Sequence, residues 1–235
     1  MTCGFSIGHF EEILALVQER YEALLFREWT PARAGRPRVF LRHDVDHSLR
    51  LACEMARVEA RNGIRSTYFV QLHSDLYAAA TSTGAAMLRE LVALGHEVGL
   101  HYDTAYYLES ERDATAGFDA DIALLSRLAG VPVVSAAKHN PIDTPAAREL
   151  AARAKFDPYS DAFTRGVKYI SDSSMSWREG CACGHLAGDK ELQVLIHPLW
   201  WLVEGATLEA RVRRSCEKET AAQAAIAAAC AREWA

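Results

Sequence analysis

The 235-residue sequence has no long apolar run, no signal-peptide pattern and no excess of positive charge. No stretch approaches the ~20 apolar residues that a membrane-spanning helix needs, so we expect a cytoplasmic protein without a membrane span. The 26 Lys and Arg residues are outnumbered by 31 Asp and Glu, which gives a net charge of −5. This balance argues against nucleic acid as a partner.

Cysteine is also scarce, because six cysteines in a chain of this length do not form a dense disulfide framework. Cys181 and Cys183 lie near His185, but the C-x-C spacing differs from the C-x-x-C of zinc sites, and no second pair lies nearby in the sequence. We therefore expect free thiols on a loop. Half of the residues are hydrophobic, which is typical of a chain that folds around its own core.

Strand-like and helix-like segments alternate along the chain, which predicts a parallel α/β architecture. We expect a single domain over 1–235, with an N-terminal helix at 7–27 and a catalytic barrel at 37–235. The alanine-rich segment from Leu208 to Trp234 predicts a helix that packs against the barrel or against another subunit, so a homo-oligomer is left open. The strand-like segments, about seven in number, are 39–41, 64–72, 98–102, 131–139, 156–160, 167–172 and 192–197.

Aspartate and histidine recur where five of these strands end. Because the carboxyl ends of parallel strands share one face of a sheet or barrel, we expect these side chains to meet in one site. Two of them, Asp44 and Asp46, would repel each other unless a cation or a proton lies between them. The full set is Asp44, Asp46, His101, His139, Asp172 and His197.

Aspartate and histidine together are suitable ligands for Zn²⁺, Mn²⁺, Fe²⁺ or Co²⁺. A bound metal lowers the pKa of a coordinated water and polarises a carbonyl oxygen. A remaining carboxylate can accept the water's proton, and a histidine can protonate the leaving group. The residue types therefore predict a hydrolase for an amide or an ester.

Four motifs carry a family resemblance in the family's order: L-R-H-D-V-D-H at 41–47, S-T-Y-F-V at 66–70, G-H-E-V-G-L-H at 95–101 and V-L-I-H-P at 194–198. The chain resembles the polysaccharide deacetylase superfamily, the NodB-type group that includes carbohydrate esterase family 4. The resemblance implies a single-domain distorted (β/α) barrel with fewer than eight strands. It also implies a metal-dependent carbon–nitrogen hydrolase that acts on a linear amide, the N-acyl group of an amino sugar.

The resemblance also implies roles for individual residues. Asp44 resembles the catalytic base, and Asp46, displaced by one residue, resembles the aspartate metal ligand. His101 resembles the first metal histidine, and His197 resembles the general acid that protonates the departing amine. The expected cofactor is a divalent ion, Zn²⁺ first, with Mn, Fe or Co as alternatives.

The metal motif departs from the family pattern at one position. The usual second metal histidine lies four residues after the first, but position 105 is alanine. We predict that His139 replaces it, with Asp103 or His43 as the alternatives.

The motifs that support the base and the acid are also altered. The family's third motif supplies an arginine to the catalytic base, and Lys138 or Arg178 are the candidates to substitute for it. Asp172 and Trp177 resemble a rearranged form of the motif that supports the acid histidine. The side chains that we expect at the substrate pocket are His43, His47, Lys138, Trp177, Arg178 and Trp200, although strand alternation places His43 on the face opposite Asp44.

The expected substrate is a small-molecule or lipid-linked amino sugar, such as a nucleotide- or lipid-linked intermediate of bacterial O-antigen or capsule assembly. Acetyl is the default acyl group, and formyl is the alternative. Two other functions stay open. One is a degenerate barrel that binds a sugar without turnover, and the other is a phosphatase, because D-V-D-H-S also matches a D-x-D-x-S pattern.

Overall fold

The computed structural model describes residues 3–32, 35–110, 113–140, 143–188 and 190–233. The strands within these ranges are β1 (Glu22–Ala23), β2 (Arg38–Val45), β3 (Thr67–Val70), β4 (Glu97–Tyr102), β5 (Ala136–Lys138), β6 (Val167–Ser171) and β7 (Glu191–Ile196). The helices are α1 (Ile7–Arg20), α2 (Leu49–Arg61), α3 (Ser82–Ala93), α4 (Thr104–Ser110), α5 (Ala114–Ala129), α6 (Pro145–Ala151), α7 (Asp161–Thr164), α8 (Ala182–Leu186), α9 (Pro198–Leu202) and α10 (Leu208–Glu233). Short 3₁₀ turns lie at Phe26–Glu28 and Ser173–Met175.

The strands form one curled parallel sheet in the order β5-β4-β3-β2-β7-β6, and β1 pairs with the start of β2. The sheet curls into a half-barrel with helices on its outer face. The predicted α/β class and the distorted (β/α) barrel are therefore confirmed.

The strands predicted at 64–72 and 131–139 are shorter in the structure, as β3 and β5, and two further elements differ more. The N-terminal helix ends at Arg20 rather than at 27, because Tyr21 turns extended and the next two residues pair as β1 with Arg38 and Val39. The strand expected at 156–160 is absent among the described residues, where Phe156 makes only an isolated bridge to Ser135. The sheet still has seven strands in the described part of the chain, but β1 supplies the seventh.

Strand alternation sorts the side chains of β2 onto two faces. Val39, Leu41 and Val45 face the helices and join the main hydrophobic core. Phe40 faces the interior of the barrel, where it packs in an aromatic cluster with Phe26, Phe69 and Phe163. Arg42 and Asp44 share this inner face by the two-residue period.

Gly99 in the G-H-E-V-G-L-H motif is required by a close approach within the barrel. A Cβ at this position would lie 2.6 Å from the ring of Phe69 on the neighbouring strand. Any larger residue would push that ring into the interior aromatic cluster. The glycine therefore permits β3 and β4 to pair while the barrel interior stays filled.

Among the residues that the structure describes, a helix that could span a membrane is not found. The longest described helix, α10, lies mostly exposed on the surface, where Glu219 accepts a hydrogen bond from Ser48 at the start of α2.

Candidate active site

Three of the predicted metal ligands converge at the carboxyl edge of the sheet. The Nε2 atom of His101 and the Nδ1 atom of His139 each lie 3.3 Å from Oδ1 of Asp46, and the two nitrogens lie 3.1 Å apart. Two ligand atoms about 2.1 Å from a tetrahedral ion lie about 3.4 Å from each other. The spacing and the N₂O donor set therefore fit a divalent metal such as Zn²⁺, Mn²⁺, Fe²⁺ or Co²⁺.

Hydrogen bonds orient these groups. The Nδ1 atom of His101 pairs with the carbonyl oxygen of Ala137 at 3.0 Å, which leaves Nε2 directed into the site. The backbone N–H of His139 donates to Tyr102 at 2.8 Å and so fixes the chain as it leaves β5. Gln71, which follows β3, donates to Asp46 at 3.0 Å. Gln71 was not among the predicted site residues, although it follows a strand end just as they do.

The alternatives to His139 are held elsewhere. The Asp103 carboxylate accepts from the backbone N–H of Ala105 at 2.9 Å and from Asn140 at 3.1 Å. His43 is fully buried on the helix-facing side of β2, where its Nε2 atom pairs with Glu59 at 2.7 Å. Neither belongs to the cluster of Asp46, His101 and His139.

Asp44 is paired with an arginine from its own strand. The Arg42 guanidinium donates to both carboxylate oxygens, at 2.7 Å to Oδ2 and 2.9 Å to Oδ1, and both side chains are buried. Burial alone would raise the pKa of Asp44, but the positive charge of Arg42 outweighs it and lowers the pKa. Asp44 is therefore held as a carboxylate.

Arg42, rather than the predicted Lys138 or Arg178, is the basic side chain that pairs with Asp44. Lys138 instead lies over the ring of Tyr159 at 5.6 Å, and Arg178 is exposed. The signal for Arg42 was present in the sequence, since a residue two positions before Asp44 on a strand shares its face.

His197 forms the other charged pair of the site. Its Nδ1 atom lies 2.6 Å from Oδ1 of Asp172, whose other oxygen accepts from the indole of Trp201 at 2.8 Å. Burial alone would lower the pKa of His197, but the Asp172 carboxylate outweighs it and raises the pKa to about 9. The Nε2 atom of His197 faces the cluster of Asp46, His101 and His139 and lies 3.7 Å from Oδ2 of Asp46. Trp177 was the predicted support for this acid, but the indole that bonds Asp172 belongs to Trp201.

An open cavity of about 400 Å³ connects these groups, a size within the range of small-molecule sites. Aromatic rings form part of its wall, and the side chains that contribute them are Tyr159, Tyr169, His47 and Trp200. His47 and Trp200 thus lie where the sequence argument expects substrate. Trp177 packs against Phe5 and Trp201 instead.

Four of the six substrate-contact candidates do not line the cavity, and they are His43, Lys138, Trp177 and Arg178. His43 is the most deeply buried of them. Its side chain is fully buried and stacks on Tyr68 with ring centroids 4.4 Å apart. Glu59 joins this cluster, accepting hydrogen bonds from Tyr68 at 2.7 Å and from Ser66. His43 therefore ties α2 to the sheet rather than facing the cavity.

No protein-family model matches the chain, and a search of curated proteins finds no relative. Solved structures are similar to it. A deacetylase from Streptococcus pyogenes in complex with acetate is 13% identical and matches over 88% of this chain and 85% of that chain, with a TM-score of 0.50. A family 4 carbohydrate esterase from Streptomyces lividans, also with acetate, is 18% identical over 79% of this chain and 91% of its own, with a TM-score of 0.46.

A polysaccharide deacetylase from Bacillus cereus is 14% identical over 78% of this chain and 89% of its own, with a TM-score of 0.48. At such low identity these likenesses show the fold alone. The deacetylase from Streptococcus pyogenes, with a TM-score of 0.50, shares the fold, which agrees with the distorted (β/α) barrel that the motifs predict.

Proposed function

We propose that the protein is a metal-dependent hydrolase that removes an N-acyl group from an amino sugar. The observation that carries this proposal is the meeting of three units around one cavity. They are the Asp44–Arg42 pair, the cluster of Asp46, His101 and His139, and the pair of His197 with Asp172. Together they supply a carboxylate base, a metal site and a protonated acid, which are the groups that amide hydrolysis needs.

A divalent metal held by Asp46, His101 and His139 would lower the pKa of a water molecule and polarise the acyl carbonyl. Asp44 lies beside this cluster, with Oδ2 3.6 Å from Nε2 of His101. As an ionised carboxylate it accepts the proton that the attacking water loses. Arg42 keeps it ionised and fixes the direction of its oxygens.

His197 is suited to the second proton transfer. An amine is a poor leaving group until its nitrogen is protonated, so amide cleavage needs an acid that still carries its proton near neutral pH. The raised pKa of His197 meets this need, because Asp172 stabilises the imidazolium. Nε2 is the atom that would donate, since Nδ1 is engaged by Asp172.

The wall of the cavity suits a sugar. Tyr159 and Tyr169 are each 37% exposed, and the largely buried ring of Trp200 lies beside His197 at a centroid separation of 6.1 Å. Aromatic rings of this kind can cover the C–H face of a sugar and leave its hydroxyl groups to polar neighbours. The deacetylases and carbohydrate esterases that share the fold support an acetylated sugar, and the formyl group remains the alternative.

The pairing of the Asp44 carboxylate with Arg42 argues against the phosphatase alternative. A nucleophilic aspartate needs one oxygen free to attack phosphorus. Both oxygens of Asp44 accept hydrogen bonds from the buried guanidinium of Arg42. That arrangement suits a fixed base better than a nucleophile.

The test is to incubate metal-replete protein with N-acetylglucosamine, its UDP-linked form, a lipid-linked form and their N-formyl analogues. Mass spectrometry detects the free amine and the released acid. We expect release from at least one compound, and loss of release in Asp44→Asn and His197→Ala with metal content retained. Asp161→Asn is the matched control that keeps activity, since this exposed carboxylate pairs with Arg165 at the surface.

Three outcomes would contradict the proposal. Binding of a sugar without acid release would favour the sugar-binding barrel. Release of phosphate with Mg²⁺ from a phosphorylated sugar would favour a phosphatase. Full activity in metal-stripped protein would remove the metal from the mechanism.

A further inference from the structure

A second cluster of metal-ligating side chains lies where the N-terminal segment meets α8. Cys3 precedes α1, and His9 lies in the first turn of that helix. Cys181 immediately precedes α8, and Cys183 lies within it. We propose that these four residues form a structural site for Zn²⁺ or another thiophilic divalent ion, separate from the active site.

The distances fit a tetrahedral Cys₃His site. The Nε2 atom of His9 lies 3.2 Å from Sγ of Cys181, and the Sγ atoms of Cys3 and Cys183 lie 3.6 Å apart. All four ligand atoms lie within 4.8 Å of one another. With Zn–S bonds of about 2.3 Å, two sulfurs on a tetrahedral ion are about 3.8 Å apart. Small shifts of the side chains would therefore close the site around an ion.

His9 is oriented for this role before any ion binds. His9 is 5% exposed, and its ring packs against Trp201 at a centroid distance of 6.1 Å. The Nδ1 atom pairs with the Glu12 carboxylate at 2.8 Å, which leaves Nε2 directed at the sulfurs. A carboxylate on the far nitrogen is the usual companion of a zinc-bound histidine, because it fixes the ring and its tautomer.

Cys181 and Cys183 are free thiols, as expected from the sequence, but Cys183 lies within α8 rather than on a loop. The second pair of ligands exists, but it comes from the other end of the chain. His185, the histidine nearest in sequence, lies outside the cluster, and its Nε2 atom pairs with the carbonyl of Glu179 at 2.8 Å. A disulfide between Cys3 and Cys183 is the competing use of these sulfurs, and it would give His9 and Cys181 no role.

The donor set separates this site from the active site. Three sulfurs and one nitrogen select zinc-like ions, whereas the N₂O set of Asp46, His101 and His139 contains no sulfur. A bound ion here would join segments 180 positions apart in the chain. Phe5, between two of the ligands, packs against Trp177 and Trp201. The site would therefore hold the N-terminal segment against the layer that supports the acid pair.

Cobalt substitution tests the proposal without reference to activity. Protein prepared under reducing conditions is titrated with Co²⁺, and the near-ultraviolet thiolate-to-cobalt charge-transfer band is recorded. We expect a band that saturates near one ion per chain and is displaced by Zn²⁺. The same band should remain in His101→Ala, which disrupts only the active-site cluster. It should be lost in Cys181→Ser and in Cys183→Ser.

Cys216→Ser is the matched control, because Cys216 is an exposed cysteine on α10 outside the cluster, and it should keep the band. Circular dichroism checks that each variant is folded. If a variant unfolds, the wild-type titration still decides, since it needs no substitution. Absence of the band in reduced wild-type protein would overturn the proposal. So would a band unchanged in Cys181→Ser and Cys183→Ser, or a Cys3–Cys183 disulfide in protein that binds no zinc.

Discussion

The buried pair of Arg42 and Asp44 offers a prediction whose size follows from the structure. The Arg42→Met substitution keeps most of the side-chain volume but removes the guanidinium. It leaves the Asp44 carboxylate, which is 5% exposed, without the guanidinium that donates to both of its oxygens. Removing one member of a buried ion pair costs about 3–5 kcal/mol of the free energy of unfolding, because the remaining charge is buried and unpaired.

Combining Arg42→Met with Asp44→Asn tests whether the loss of stability comes from the unpaired charge. Asp44→Asn alone should also destabilise the protein, since it leaves the Arg42 charge unpaired. In the double variant neither member of this pair carries a charge. We therefore expect its loss of unfolding free energy to be well below the sum of the losses in the two single variants. The coupling between the two positions should be about 2 kcal/mol or more, larger than the additivity error of distant sites.

Arg38 provides a matched control from the same strand and the same face. It pairs with Glu191 through two hydrogen bonds, at 2.8 and 3.1 Å, and both side chains are buried. Six residues along a strand place it about 20 Å from Asp44. Arg38→Met should therefore reduce stability by a comparable amount while acyl release per folded molecule is unchanged, whereas Arg42→Met should lose release as well.

Urea unfolding monitored by circular dichroism gives the four free energies of the cycle, and mass spectrometry of released acid gives the turnover. Stability losses in Arg42→Met and Asp44→Asn that simply add would refute the ion-pair argument. Wild-type turnover in folded Arg42→Met would show that Asp44 does not need the guanidinium in order to act.

Three further predictions concern metal, acid and pH. His101→Ala removes one of three ligands, so plasma mass spectrometry after dialysis should find the active-site metal lost, and a retained ion would contradict the assignment. Asp172→Asn should lower the pKa of His197, which is about 9 in the wild type. The pH above which activity declines should therefore be lower in this variant than in the wild type. An unshifted pH profile of activity would count against His197 as the acid. Burial raises the pKa of Glu59, but the charge of His43 outweighs it and lowers the pKa below 4.5. Stability from Glu59 is thus lost as pH falls below that value, and Glu59→Gln should reduce the slope of urea-derived stability against pH by up to about 1.4 kcal/mol per unit; an equal slope in both proteins would refute this.

The convergence of the strand-end residues could be predicted because it needs only two facts. Parallel strands present their carboxyl ends at one edge, and Asp44, His101, Asp172 and His197 stand at or next to those ends. The exact register of the sheet is not needed for this argument. His139 could be proposed for the same reason, although the motif points to position 105.

The partners of these residues were harder to predict, for different reasons in each case. The two-residue period of a strand places Arg42 on the same face as Asp44, so their pairing could have been predicted. A basic residue inside a barrel is nevertheless unexpected until its carboxylate partner is known to be buried. Gln71 is uncharged, so it did not stand out as a ligand support. The pairing of Cys3 with Cys183 depends on how α1 packs on α8, and no local pattern encodes a contact between positions so far apart.

Different elements hold the Asp44 side and the His197 side of the site, and this difference indicates which side is more easily displaced. Arg42, Asp44 and His101 all lie on strands at the barrel centre and are at most 5% exposed. His197 and Asp172 follow strand ends, and their orientation depends on the indole of Trp201 in α9. Because Trp201 packs against residues of the N-terminal segment, a disturbance there should displace His197, the proposed acid, before it displaces Asp44, the proposed base. Loosening this layer should therefore impair protonation of the leaving group while Asp44 and the metal ligands stay in place.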